Sequence, residues 1–156
     1  MTAIRPSLLK YPPVFLATGF GSGLSPVAPG TVGTLVSLLL FFFVKNTGWP
    51  LLAICVVAFI MGIWLCDRSS EKLGMHDHGG IVWDEFVGMW ITLLWVPLSL
   101  STVVLAFLLF RLFDILKPWP IGYLDKRVHG GFGIMIDDVI AGIFANVCLH
   151  LLLKFL

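Results

Sequence analysis

The stretch GGFGIMIDDVIAGIF, residues 130–144, sets two aspartates side by side in a run that otherwise reads as a membrane helix. An ionised carboxylate at the centre of such a helix costs roughly 2.5–3.5 kcal/mol on insertion scales. Something must offset that cost: a cation, a partner residue, or a position near the water boundary. If the helix starts near Phe132, Asp138 lies about six residues in, or roughly 9 Å at 1.5 Å per residue, which is the interface rather than the bilayer midplane. Asp138, Ala141, Gly142 and Ala145 then share a small-residue seam, the kind of surface on which membrane helices pack. The carboxylates are expected to face a helical bundle, not lipid.

The rest of the chain agrees with a membrane setting. Of its 156 residues 58% are hydrophobic and 12% charged, and mean hydropathy is +0.99, far outside the range of soluble domains. The length fits a single domain over residues 1–156. A net charge of +1 offers no basic excess for phosphates along a duplex, so nucleic acid is not expected as a partner. Cys55, Cys66 and Cys148 are odd in number and embedded in apolar runs, which fits packing rather than a disulfide framework or zinc. VFLATGF near the N-terminus is too short for a signal-peptide core, so the first helices are expected to stay as an anchor.

Four apolar stretches stand out: 31–44, 50–66, 86–110 and 133–153. Pro97 with Ser99, Ser101 and Thr102 interrupts the third, which is read as a short helical hairpin near residues 84–113 turning at VPLSLST. That reading puts Arg5, Lys10, Arg68, Lys72, Arg111, Lys117, Lys126 and Arg127 on one side, with Lys45 and Lys154 opposite. By the positive-inside rule the first side is the cytoplasm. The expected fold is all-α: a small polytopic membrane bundle of about five helices.

The acidic pair has an echo. HGGIVWDEFVG (78–88) and HGGFGIMIDDVIAG (129–142) share an order of His-Gly-Gly, a short apolar run, two adjacent carboxylates and small residues. Asp84 and Glu85 with Asp137 and Asp138 therefore form a candidate site for a hard divalent cation; Mg²⁺ is the natural choice, with Ca²⁺ or Mn²⁺ as alternatives. Salt bridging to Arg111 or Lys117 is the structural alternative. FRLFDILKPWP (110–120) adds Asp114 between two cations, Arg111 and Lys117, suited to holding phosphate or to closing a helix end. Adjacent helix residues lie ~100° apart, so one member of each pair is expected as ligand. Asp138 is preferred to Asp137 because it shares the seam with Gly142.

TGFGSGLSPVAPGTVGT (18–34) matches neither a Walker A loop nor a dinucleotide fingerprint. Ser25 and a helix N-cap at Thr31 are candidates for presenting hydroxyl and backbone N–H groups to an anion. His76 and His78 flank Asp77, but two such histidines need more ligands for zinc. His78 or His129 is instead a candidate proton donor.

Together GFGSGLSPVAPGTVG, HDHGGIVWDEFVGMWITL, FRLFDILKPWPI and VHGGFGIMIDDVIAG closely resemble the phosphatidylglycerophosphatase A family of bacterial membrane enzymes. The likeness covers about residues 19–146, with four long motifs in family order and no departure within them. It implies a multi-pass inner-membrane, Mg²⁺-dependent hydrolase that converts phosphatidylglycerophosphate to phosphatidylglycerol at the cytoplasmic face. On that reading Asp84, Glu85, Asp138, Asp137, Asp114 and His78 carry the chemistry, and Arg111, Lys117, Ser25, Thr31 and His129 bind substrate. Hydrolysis by water and an aspartyl-phosphate route both fit the residues. A small cation transporter or channel is the rival reading; it expects acids through the bilayer depth, whereas here they gather toward one face.

Overall fold

The computed structural model describes residues 4–44, 47–76 and 78–155; Lys45 and Asp77, used in the sequence reading, lie outside them. Among the described residues there are seven α-helices and no strand: α1 Pro12–Ala17, α2 Pro29–Val44, α3 Trp49–Leu73, α4 Trp83–Thr92, α5 Leu100–Leu116, α6 Ile121–Arg127 and α7 Gly130–Leu152. The all-α class holds. The number exceeds five because α1 and α6, of 6 and 7 residues, are too short to show a hydrophobic period.

Helices α3 and α7 are long and apolar enough to cross a membrane. α3 outruns the apolar stretch expected for it: Asp67 to Leu73 continue the helix until Gly74, at φ 68°, closes it in the left-handed conformation that glycine adopts freely. α7 also starts earlier than expected, at Gly130, because its free N–H groups are met from the end of α3. The Gly131 N–H donates to Asp67 Oδ1, and the Gly130 N–H donates to His76 Nε2 at 2.8 Å. The two long helices are thus antiparallel neighbours. Large apolar side chains, among them Leu39, Phe43, Val57, Ile60, Leu108 and Val147, stay exposed on the outer faces, an apolar surface that water would not tolerate over such an area.

The third apolar stretch does divide at its proline. α4 ends at Thr92, Pro97 lies in the connection, and Ser99 caps α5 by accepting the Thr102 N–H at 3.1 Å. With 10 residues, α4 is about 15 Å long, half of a ~30 Å hydrocarbon layer. Its C-terminal carbonyls would be orphaned inside the bundle without partners. Asn146 of α7 donates to Thr92 O at 3.0 Å and Leu94 O at 2.9 Å, and His150 Nε2 lies 3.1 Å from Leu94 O. The Trp95 N–H reaches Thr47 O ahead of α3.

α4 packs most closely on α7, through glycine. A Cβ on Gly142 would strike the Gly88 backbone, and one on Gly88 would come within 2.7 Å of Asp138 O. Ala141 and Ala145 are fully buried beside this contact. Cys55 and Cys66 are buried and Cys148 half-buried, all three as free thiols.

Candidate active site

The close α4–α7 contact decides where the acids meet. Asp84 and Glu85 occupy the first turn of α4, and Asp138 lies on the face of α7 that receives it. Carboxylate oxygens of Asp84, Glu85 and Asp138 all fall within 4.8 Å of one another. Glu85 and Asp138 are buried, at 9% and 3% exposure. Counted from Gly130, Asp138 is about eight residues into α7, roughly 12 Å at 1.5 Å per residue. The site is therefore about half a turn deeper than the sequence reading put it.

Three further elements close around this trio. α5 brings Arg111 and Asp114: the guanidinium Nη1 is 2.5 Å from Asp114 and 3.8 Å from Glu85. Asp114 in turn faces Asp138. α2 brings its first turn, where a Cβ on Gly30 would collide with Glu85 Oε1 and approach Arg111 Nη1 to 3.3 Å. Only glycine lets this helix start so near the acids. α6 stands on the other side and brings Asp125.

Asp137 and Lys117 take a different course from the one expected. Lys117 Nζ lies 2.5 Å from Asp137 and 2.5 Å from Asp125. Burial would lower its pKa, but the hydrogen bonds from Asp125 and Asp137 more than offset this and hold it above the ordinary lysine value. Asp137 Oδ1 also accepts the Asp138 N–H at 3.1 Å. The rotation between neighbouring helix residues turns Asp137 to the lysine while Asp138 turns to the trio. Lys117 is thus paired with two carboxylates outside the trio.

The remaining candidates are dispersed. His78 is buried in the loop before α4, its Nδ1 accepting the Gly80 N–H at 3.0 Å. His129 precedes α7 and is exposed, its ring centroid 5.7 Å from that of His76. Asp138 lies more than two turns further along α7, so no approach of His129 to the carboxylates is made along the helix. The two His-Gly-Gly segments are thus not equivalent half-sites: one is loop, the other a helix start. Ser25 Oγ donates to Val27 O at 2.8 Å. Thr31 is not the N-cap, because α2 begins at Pro29, whose fixed φ suits the first helical position; Thr31 lies inside the first turn.

Whether the trio suits a divalent cation is a question of its oxygens. Among the described residues no donor hydrogen-bonds Glu85 Oε2 or Asp138 Oδ2, although both atoms are buried. Buried carboxylate oxygens without donors are costly unless a cation or proton completes them. Asp84, Glu85 and Asp138 together offer three carboxylates, all oxygen and close enough to converge on one point, which matches the preference of Mg²⁺ or Mn²⁺. The residues fit the ion.

The family model for phosphatidylglycerophosphatase A matches residues 15–153, which takes in every residue of this site. This chain belongs to the phosphatidylglycerophosphatase A family. A relative of that name from Escherichia coli K12 is 47% identical over 137 residues, covering 86% of this chain and 80% of the relative. Another, from Haemophilus influenzae, is 49% identical over 142 residues, covering 89% and 87%. A third, from Bacteroides thetaiotaomicron, bears the provisional name of a phosphatidylinositol-3-phosphatase and is 41% identical over 152 residues, covering 92% of each. No solved structure matches the chain. Family membership and the two long apolar helices together place the chain at a membrane.

Residues that sequence reasoning missed hold the site from outside. Asp125 lies beyond Pro118, where the helical pattern stops, and nothing in the spacing links it to Lys117. Asp67 falls just past the apolar stretch 50–66, and Asn146 and His150 fall within the stretch 133–153; none was singled out. The only available signal was that each is polar in a segment where polarity is expensive.

Proposed function

We propose that this chain removes the terminal phosphate of phosphatidylglycerophosphate to give phosphatidylglycerol, working in the bacterial inner membrane at its cytoplasmic face. The observation that carries the reading is the convergence of Asp84, Glu85 and Asp138 beside Arg111 and the start of α2. Such a site pairs a place for a divalent cation with groups for a phosphomonoester. The names of two relatives supply the substrate; the name of the third marks lipid phosphomonoesters as the wider class.

Asp84, Glu85 and Asp138 would hold Mg²⁺. Once bound, the ion supplies Lewis-acid polarisation of a phosphoryl oxygen. Arg111, kept in place by Asp114, neutralises charge on the equatorial oxygens as the phosphoryl group passes from the glycerol oxygen to water. The α2 first turn adds backbone N–H groups and the positive helix end to the same anion, with Thr31 and Ser25 at its border. Asp114 is the carboxylate left beside the trio and takes the proton of the attacking water. The departing glycerol alkoxide takes a proton from water.

The transporter reading lacks support from the far half of the bundle. There the polar side chains Thr92, Asn146 and His150 bind backbone carbonyls and leave no path of acids. The deciding experiment is phosphate release from phosphatidylglycerophosphate by detergent-purified protein, with Mg²⁺ and with a chelator. Release that stops on chelation is the expected result. No release from folded protein in either Mg²⁺ or Mn²⁺ would sink the proposal and make ion flux in liposomes the next assay.

A further inference from the structure

Six carboxylates crowd this end of the bundle, and two cations are shared among them. Arg111 sits nearer Asp114, at 2.5 Å, than Glu85, at 3.8 Å. Lys117 is engaged by Asp125 and Asp137. Lys117 is thereby held on acids outside the trio, and Arg111 mainly on Asp114, its contact with Glu85 of the trio being the longer one.

For Lys117 this division depends on α6. The Gly122 N–H donates to Lys117 O at 3.2 Å, and a Cβ on Gly122 would stand only 2.7 Å from that oxygen. Lys117 itself is at φ 43° at the end of α5, a left-handed conformation that a side chain holds only when its surroundings fix it. One short helix thus secures the lysine at both ends, by Gly122 at the backbone and by Asp125 at the ammonium. The side chain is 28% exposed, so the ammonium has room to turn once its outer partner is removed. Its inner partner, Asp137, is next in sequence to Asp138.

We infer that Asp125 is a positioning residue that holds the Lys117 ammonium on Asp137 and away from Asp138, so that the acidic trio remains open to a divalent cation. The inference rests on the cation site proposed above. Without Asp125 the ammonium is held by Asp137 alone and becomes a competing counter-charge for the trio.

The test is direct Mn²⁺ binding to the full-length protein in detergent, followed by electron paramagnetic resonance of the free ion. Asp125→Asn is expected to weaken binding about tenfold, the range seen when groups supporting metal ligands are removed. Gly122→Ala, which displaces the Lys117 backbone, is expected to weaken it in the same direction, and Asp125→Glu to restore it. A purely structural role would reduce the yield of folded protein without moving the affinity of what remains. Wild-type affinity in both Asp125→Asn and Gly122→Ala overturns the inference. Failure of the wild-type protein to bind Mn²⁺ is a different result, which removes the cation site and this inference with it.

Discussion

Asp138 combines two demands that are usually met by different residues. Its backbone lies where α4 comes closest, and its side chain meets Asp84 and Glu85. Asp138→Asn keeps the volume and removes the charge, so phosphate release should fall about a hundredfold or more, at least as far as when a group supporting a metal ligand is lost. Circular dichroism of the purified variant should remain that of the wild type; an active variant with unchanged metal dependence would exclude Asp138 from the chemistry. Arg111 turns one nitrogen of its planar guanidinium to both Asp114 and Glu85, a geometry that a lysine ammonium does not reproduce. Arg111→Lys is accordingly expected to lower kcat about tenfold, as read from initial rates at saturating lipid.

Among elements, α4 depends most on its neighbours. Gly88→Leu would drive a side chain into Phe110 and the α7 backbone, separating the two acidic segments. Both activity and Mn²⁺ binding should be lost, even where the protein still inserts into membranes. Asn146→Leu strips Thr92 O of a donor and leaves Leu94 O with His150, at about 1–3 kcal/mol for a buried carbonyl left unpaired. A lowered unfolding midpoint in detergent, with the site chemistry otherwise intact, is the expected outcome. Much of this element was legible in sequence: the break at Pro97, the cap at Ser99 and the Asp138–Gly142 seam each follow from local rules. The early start of α7 was not, because Asp67 reaches it from α3 and His76 from the loop that follows α3. The Lys117–Asp125 pairing was hidden for the same reason, since a chain reversal between them carries no periodicity.

For the molecule as a whole, the decisive property is the asymmetry between the two ends of the bundle. Charged groups gather at the end where α3 stops and α7 starts, and the opposite end is marked by Trp49 against Trp95, ring centroids 5.4 Å apart, as suits an interfacial belt. Single cysteines at Ser99 and Lys126 should therefore label from opposite sides of sealed vesicles, Lys126 from the cytoplasmic one. Labelling of both from one side would overturn the topology. A cation that binds only the assembled trio also stabilises the fold by mass action. Mg²⁺ should raise Tm in the wild type and leave that of Asp138→Asn where it was.

The half-length α4 also bears on how the chain is made. At about 15 Å it cannot span a bilayer by itself, and its open end is completed by Asn146 and His150, which are synthesised some fifty residues after Thr92. Until then those carbonyls have no place in hydrocarbon. Biosynthesis must therefore keep this segment in contact with water or with the insertion machinery while the next helices emerge. The acidic trio would be withdrawn into the membrane last, and only as a consequence of α7 taking its place.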